Sequence, residues 1–107
     1  MTGPAPGRNE LLVLIPIYND WTAVGLLLPS LERVLAGAGL VADVLLVDDG
    51  STIEPPAQWR ADGWRALGRI DVLTLRRNIG HQRAIAIGLA FVEQHLTPAV
   101  LVIMDGD

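Results

Sequence analysis

The sequence contains no cysteine, which excludes disulfides, thiolate metal sites and cysteine nucleophiles together. Any metal must therefore sit on oxygen or imidazole. Charge is also sparse, with 19% of residues charged against a usual share of about 25%. Half of the chain is hydrophobic, a composition that folds rather than one that stays disordered. Excess basic charge is absent: the formal net charge is -4 and the pI about 4.9, which argues against a nucleic-acid partner. No apolar run approaches the ~20 residues that span a bilayer. The N-terminus, Met1-Thr2-Gly3-Pro4-Ala5-Pro6-Gly7, lacks the charged region and apolar core of a signal peptide. The chain is accordingly expected to be soluble and cytoplasmic, lying at the cytoplasmic membrane face if a longer parent carries membrane helices. Its 107 residues give room for one small domain.

What the sequence does have is a set of short apolar runs separated by helical patterns. Residues 1–9 read as a flexible leader and 10–107 as the folded part. Leu11-Leu12-Val13-Leu14-Ile15 is continuously apolar, which suits a strand covered on both faces, and Pro16 is expected to end it. A helix is predicted over 21–35, with Val24, Leu27, Leu28, Leu31 and Leu35 at helical spacing. Asn19, Asp20 or Thr22 can cap it, Pro29 should kink it or mark a late start, and Gly37 and Gly39 stop it. Strands follow over 43–47, 70–75 and 100–104. A second helix over 82–95 buries Ala84, Ile87, Gly88, Phe91 and Val92. Between 51 and 69 the pattern is hard to read, with Trp59 and Trp64 spaced for a short helix face.

Strands alternating with helices imply an α/β fold with a parallel sheet, so every loop that follows a strand lies on one edge. In open α/β sheets that edge is where ligands bind. Two of these loops are acidic. Asp48-Asp49-Gly50-Ser51 follows Val44-Leu45-Leu46-Val47, and Asp105-Gly106-Asp107 follows the run ending at Met104. Each alone is an ordinary loop start or turn. Together, on one sheet edge, they suit a hard cation, or hydrogen bonds from a base or ribose. In an extended segment Asp105 and Asp107 share a face, so one divalent ion can reach both. Asp48 and Asp49 are expected to face solvent.

The remaining candidates are weaker taken singly. Tyr18 offers a flat ring to a ribose or base, or is an ordinary half-buried tyrosine. Gly80-His81-Gln82-Arg83 resembles an anion-cradling helix start, in which Arg83 meets a phosphate or base carbonyl, the alternative being a surface arginine. His81 and His95 have no metal-pair spacing; His95 suits the C-terminal end of a helix dipole.

Leu14-Ile15-Pro16-Ile17-Tyr18-Asn19-Asp20, Val47-Asp48-Asp49-Gly50-Ser51-Thr52, Arg77-Asn78-Ile79-Gly80-His81-Gln82 and Met104-Asp105-Gly106-Asp107 together resemble the family 2 glycosyltransferases of GT-A fold. The nearest flavour is the dolichol- and polyprenyl-phosphate sugar transferases. The resemblance runs from Leu11 to Asp107, with the motifs in family order. It implies a Rossmann-like sheet with strand one central, strands two and three on one side and strand four on the other. It also implies a nucleotide pocket lined by Pro16, Tyr18 and Asp20, with Asp20 standing where the subgroup often has glutamate. Asp48 and Asp49 would bind base and ribose. Asp105, Gly106 and Asp107 match the DXD motif, whose two carboxylates hold sugar and metal. Ile53-Glu54-Pro55-Pro56 departs from the polar helix start usual at that point.

The implied activity is transfer of a sugar, with inversion, from a UDP- or GDP-sugar to an acceptor such as a polyprenyl phosphate, assisted by Mg²⁺ or Mn²⁺. In the family the general base comes from the part after the DXD motif. The chain is thus expected to end after its fourth strand, to supply donor and metal binding, and to be inactive alone. Its open strand edge invites a homodimer. Two other readings compete: a non-catalytic nucleotide-binding or assembly fragment, and a haloacid-dehalogenase-like phosphatase, which also places Asp-x-Asp after an apolar strand.

Overall fold

The apolar runs at 11–17 and 44–47 become parallel strands covered on both faces. The computed structural model describes residues 10–55 and 63–104. Its elements in chain order are β1 (Leu11–Ile17), α1 (Trp21–Gly37), β2 (Ala42–Asp48), β3 (Leu67–Thr74), α2 (His81–His95) and β4 (Val100–Ile103). The strands form one parallel sheet in the order β3-β2-β1-β4, as the family resemblance implies. Side chains alternate across it. Val13, Ile15 and Ile17 of β1 join Val44 and Leu46 of β2 beneath Trp21, Val24, Leu28 and Leu35 of α1. Leu12 and Leu14 join Leu45 and Val47 on the opposite face beneath Ala84 and Val92 of α2. Each helix thus closes one core.

Pro16 behaves otherwise than expected, and Pro29 does not mark a late start of α1. Pro16 lies inside β1, paired in register with Val47. The carbonyls of Glu10 and Leu14 accept from the amides of Val100 and Met104 (3.0 and 2.9 Å), whereas that of Ile17 accepts from Asp49 (2.8 Å). Even-numbered β1 residues therefore turn their polar groups towards β4. Pro16 follows Leu14↔Ile103, the last registered pair on that side, so its missing N–H removes no bond to β2. Pro29 neither starts nor ends α1 and lies exposed on its outer side. The helix ends where Gly39 adopts φ +70° and the Leu40 amide donates back to the Leu35 carbonyl (2.9 Å).

In α2 the buried positions are Ala84, Gly88 and Val92, while Ile87, expected in the buried stripe, faces outward. A Cβ on Gly88 would stand 2.8 Å from a Val47 methyl and 3.0 Å from one of Leu14, so α2 lies close on the sheet. Among the described residues no helix separates β2 from β3; Trp59 is outside them, and Trp64 packs half-buried against the α1 core. Glu32 of α1 fastens the start of β3. Its Oε1 accepts from the backbone amides of Arg65, Ala66 and Leu67 at 3.1, 2.9 and 3.1 Å. No helix among the described residues is long and apolar enough to cross a membrane.

Candidate functional site

The chain leaves β1 for β2 on one side, while β4 lies on the other, so the loops at the C-terminal end of β1 diverge. A crevice opens at such a point. Here it is a cleft of about 450 Å³ over the end of β1, between the first turns of α1 and α2. Pro16, Ile17 and Tyr18 form its floor and one lip. Ala23, Val24 and Leu27 of α1 supply an apolar wall, and Asp20, Asp49, Asn78, Gly80 and His81 supply polar groups.

Local sequence explains the placement of each polar group. Asp20 caps α1: its Oδ1 accepts from the Ala23 amide (3.2 Å), and it stays exposed at the rim. Tyr18 lines the cleft and is 50% exposed. Asp49 follows β2 and is 3% exposed. Its Oδ2 accepts from Asn78 Nδ2 (2.9 Å) and the Gly80 amide (3.1 Å), and its Oδ1 from the Ile79 amide (2.9 Å). The charge of Asp49 is thereby held against the entry of α2. Gly80 starts that helix with φ +99°, a backbone conformation that side chains rarely adopt.

Asp48 and Asp49 therefore do not face solvent as expected. Asp48 is 4% exposed and off the cleft wall; its Oδ1 accepts from the Ser51 amide (2.9 Å), closing the turn. This is the capping use of an Asp after a strand. Gly50 completes the turn at φ +72°. A Cβ there would lie 2.3 Å from the Arg77 carbonyl carbon and from the Asn78 nitrogen. The loops after β2 and β3 are thus pressed together backbone to backbone.

Of the residues singled out from sequence, Pro16, Tyr18, Asp20 and Asp49 meet in one cleft. Arg83 is exposed on α2 and lies outside its lining. Asp105, Gly106 and Asp107 lie outside the described residues. Among the described residues no group of three His, Asp or Glu side chains converges on a metal position. Asn78 and His81 were without an assigned role in the sequence. Asn78 carried a usable signal, because a loop Asn two residues before a helix-starting Gly is placed to bond a neighbouring turn.

The family model described as Glycosyl transferase family 2 matches residues 12–107, nearly the whole chain. The chain belongs to glycosyl transferase family 2. Within curated proteins it is similar to an undecaprenyl-phosphate 4-deoxy-4-formamido-L-arabinose transferase of Klebsiella pneumoniae, 29% identical over 103 residues, covering 95% of this chain and 30% of that protein. The transferase of the same description from an Enterobacter species is 31% identical, covering 92% of this chain and 29% of its own length. That from Edwardsiella ictaluri is 28% identical over 95 residues, with 89% and 28% covered. The chain thus spans about three-tenths of the length of these relatives. Family 2 membership decides against the dehalogenase-like alternative. It also gives the cleft a context, since the parallel α/β sheet that carries it is the family's expected architecture.

Proposed function

We propose that this chain supplies the donor-binding part of a transferase that moves a sugar, with inversion, from a UDP- or GDP-sugar to an acceptor, a polyprenyl phosphate being the favoured class. The observation that carries the reading is the meeting of Pro16, Tyr18, Asp20 and Asp49 in one cleft at the sheet edge of a family 2 chain. The apolar wall of Ala23, Val24 and Leu27 suits the face of a base, and the half-exposed Tyr18 ring suits stacking on base or ribose. The acceptor class rests on these three relatives, each an undecaprenyl-phosphate 4-deoxy-4-formamido-L-arabinose transferase.

Asp105 and Asp107 are the residues proposed to hold Mg²⁺ or Mn²⁺, on their spacing and on family resemblance. A divalent ion there supplies positive charge against the charge that grows on a departing diphosphate. Asp49 serves this reading in two ways. Its carboxylate sets the Asn78 to Gly80 loop, and a carboxylate has about four acceptor positions, so the three donors it holds leave room for one from a base or ribose.

Calorimetry of the chain with UDP, GDP and, as a control, ADP tests the proposal. Binding of UDP or GDP in preference to ADP is expected. Absence of binding by either, with Mn²⁺ present, would overturn the donor-site reading.

A further inference from the structure

The nucleotide reading employs Tyr18 and Asp20 and leaves the residue between them without a part. Asn19 has φ +58°, the left-handed region that few side-chain-bearing residues adopt and in which Asn is enriched. Tyr18 and Asp20 line the cleft, whereas Asn19 turns to the segment that follows the Asp48-Asp49-Gly50 turn. Its backbone amide donates to Ser51 Oγ at 2.8 Å. Its Oδ1 accepts from the amides of Thr52 (2.8 Å) and Ile53 (3.1 Å), and its Nδ2 donates to Thr52 Oγ1 (3.2 Å). Two residues on, Trp21 Nε1 donates to the Ile53 carbonyl at 2.8 Å, anchoring the same segment to a buried ring.

One amide side chain thus joins the loop after β1 to the loop after β2. The first presents Tyr18 and Asp20 to the cleft, and the second follows directly from Asp49. We infer that Asn19 is a positioning residue: it sets Tyr18 and Asp20 in the cleft by occupying the Thr52 and Ile53 amides, without lining the cleft itself. The effect on affinity rests on the donor-site reading, whereas the effect on Tyr18 does not.

Tyr18 is the sole tyrosine, so labelling with 3-fluorotyrosine gives one fluorine resonance that reports its surroundings. Asn19→Gly tolerates the left-handed backbone and removes the side-chain bonds, while Asn19→Asp keeps an Oδ1 acceptor for both amides. Asn19→Gly is expected to shift the Tyr18 resonance and to weaken binding of UDP or GDP about tenfold, the loss of one or two net hydrogen bonds. Asn19→Asp is expected to keep the parent resonance. If Asn19→Gly does not fold, Ser51→Ala, which removes only the acceptor of the Asn19 amide, is read in the same way. A parent-like resonance or parent-like affinity in Asn19→Gly, whatever its melting temperature, would reduce Asn19 to a purely stabilising residue. A shifted resonance in Asn19→Asp would show that the Oδ1 bonds are not the device. If the parent binds neither nucleotide while Asn19→Gly still shifts Tyr18, the donor-site reading fails and the positioning of Tyr18 stands.

Discussion

Asp49 and Asn78 are joined twice: Asn78 Nδ2 donates to the Asp49 carboxylate at 2.9 Å and to the Asp49 backbone carbonyl at 3.2 Å. With the Ile79 and Gly80 amides also directed at that carboxylate, the loop after β3 is built around a charge supplied by the loop after β2. A carboxylate with this many donors contributes to the fold before it contributes to any ligand.

Asp49→Ala should therefore destabilise the chain. It leaves three N–H donors in a buried setting without their acceptor, at a cost of about 2–4 kcal/mol. Urea denaturation measures this as a lower midpoint with little change in slope. An unchanged midpoint would return Asp49 to the solvent-facing, purely ligand-directed role that the sequence suggested.

Tyr18→Ala should have the opposite profile. The residue lines the cleft and is half exposed, so removal of its ring should leave the melting temperature nearly unchanged. Loss of base stacking should weaken UDP or GDP binding by about 1–3 kcal/mol. Calorimetry on parent and variant decides it, and equal affinities would place the nucleotide away from Tyr18.

Gly50→Ala should be among the most damaging single-methyl changes at the site. The new Cβ meets backbone rather than a yielding side chain, 2.3 Å from Arg77 and Asn78 atoms, at φ +72°. Separating the two loops and straining the turn should cost about 2–4 kcal/mol. Thermal and urea melts both report it. Wild-type stability would mean that the loop after β3 can move off the turn without loss.

Metal dependence is expected to appear in binding. Nucleotide affinity should be higher in Mn²⁺ or Mg²⁺ than in EDTA, because Asp105 and Asp107 otherwise repel the diphosphate. In Asp107→Ala the difference between the two conditions should shrink. Equal affinity of the parent chain in Mn²⁺ and EDTA would remove the metal from the proposal.

β4 is an edge strand of the described sheet, with Val100, Val102 and Ile103 all 40–54% exposed. Edge strands of this character pair with other chains. Sedimentation of the purified chain should show a concentration-dependent dimer, and Val102→Lys should shift it towards monomer. A parent chain that stays monomeric at high concentration would rule out pairing through this edge.

Much of the fold was legible in the sequence for a simple reason. A strand buried on both faces is mostly apolar, and β1 shows that as an unbroken run and β2 as the run Val44-Leu45-Leu46-Val47, flanked by the buried carboxylates of Asp43 and Asp48. The apolar periodicity of α1 and the need for short connections then settle the α/β class and the edge on which the loops gather. Pro16, Tyr18, Asp20 and Asp49 could be brought to one place on that basis. The position of Pro16 within β1 could not, because the cost of a missing N–H depends on whether a neighbouring strand reaches that residue.

The use made of Asp49 was decided by tertiary structure alone, whereas Asp20 and Asp48 bond amides three residues along within their own turns. Whether a carboxylate faces a ligand or the protein depends on which backbone amides arrive beside it, and those of Ile79 and Gly80 come from 30 and 31 residues further along the chain. The same holds for Asn19, whose partners at Ser51, Thr52 and Ile53 lie on another loop. Sequence by itself determined which residues are gathered at the sheet edge, since strand periodicity and chain order are local properties. Only the packing of one loop on another determined that Asp49 and Asn19 are spent on bonds between loops, since a hydrogen bond requires a partner at about 3 Å and the sequence carries no distance between loops.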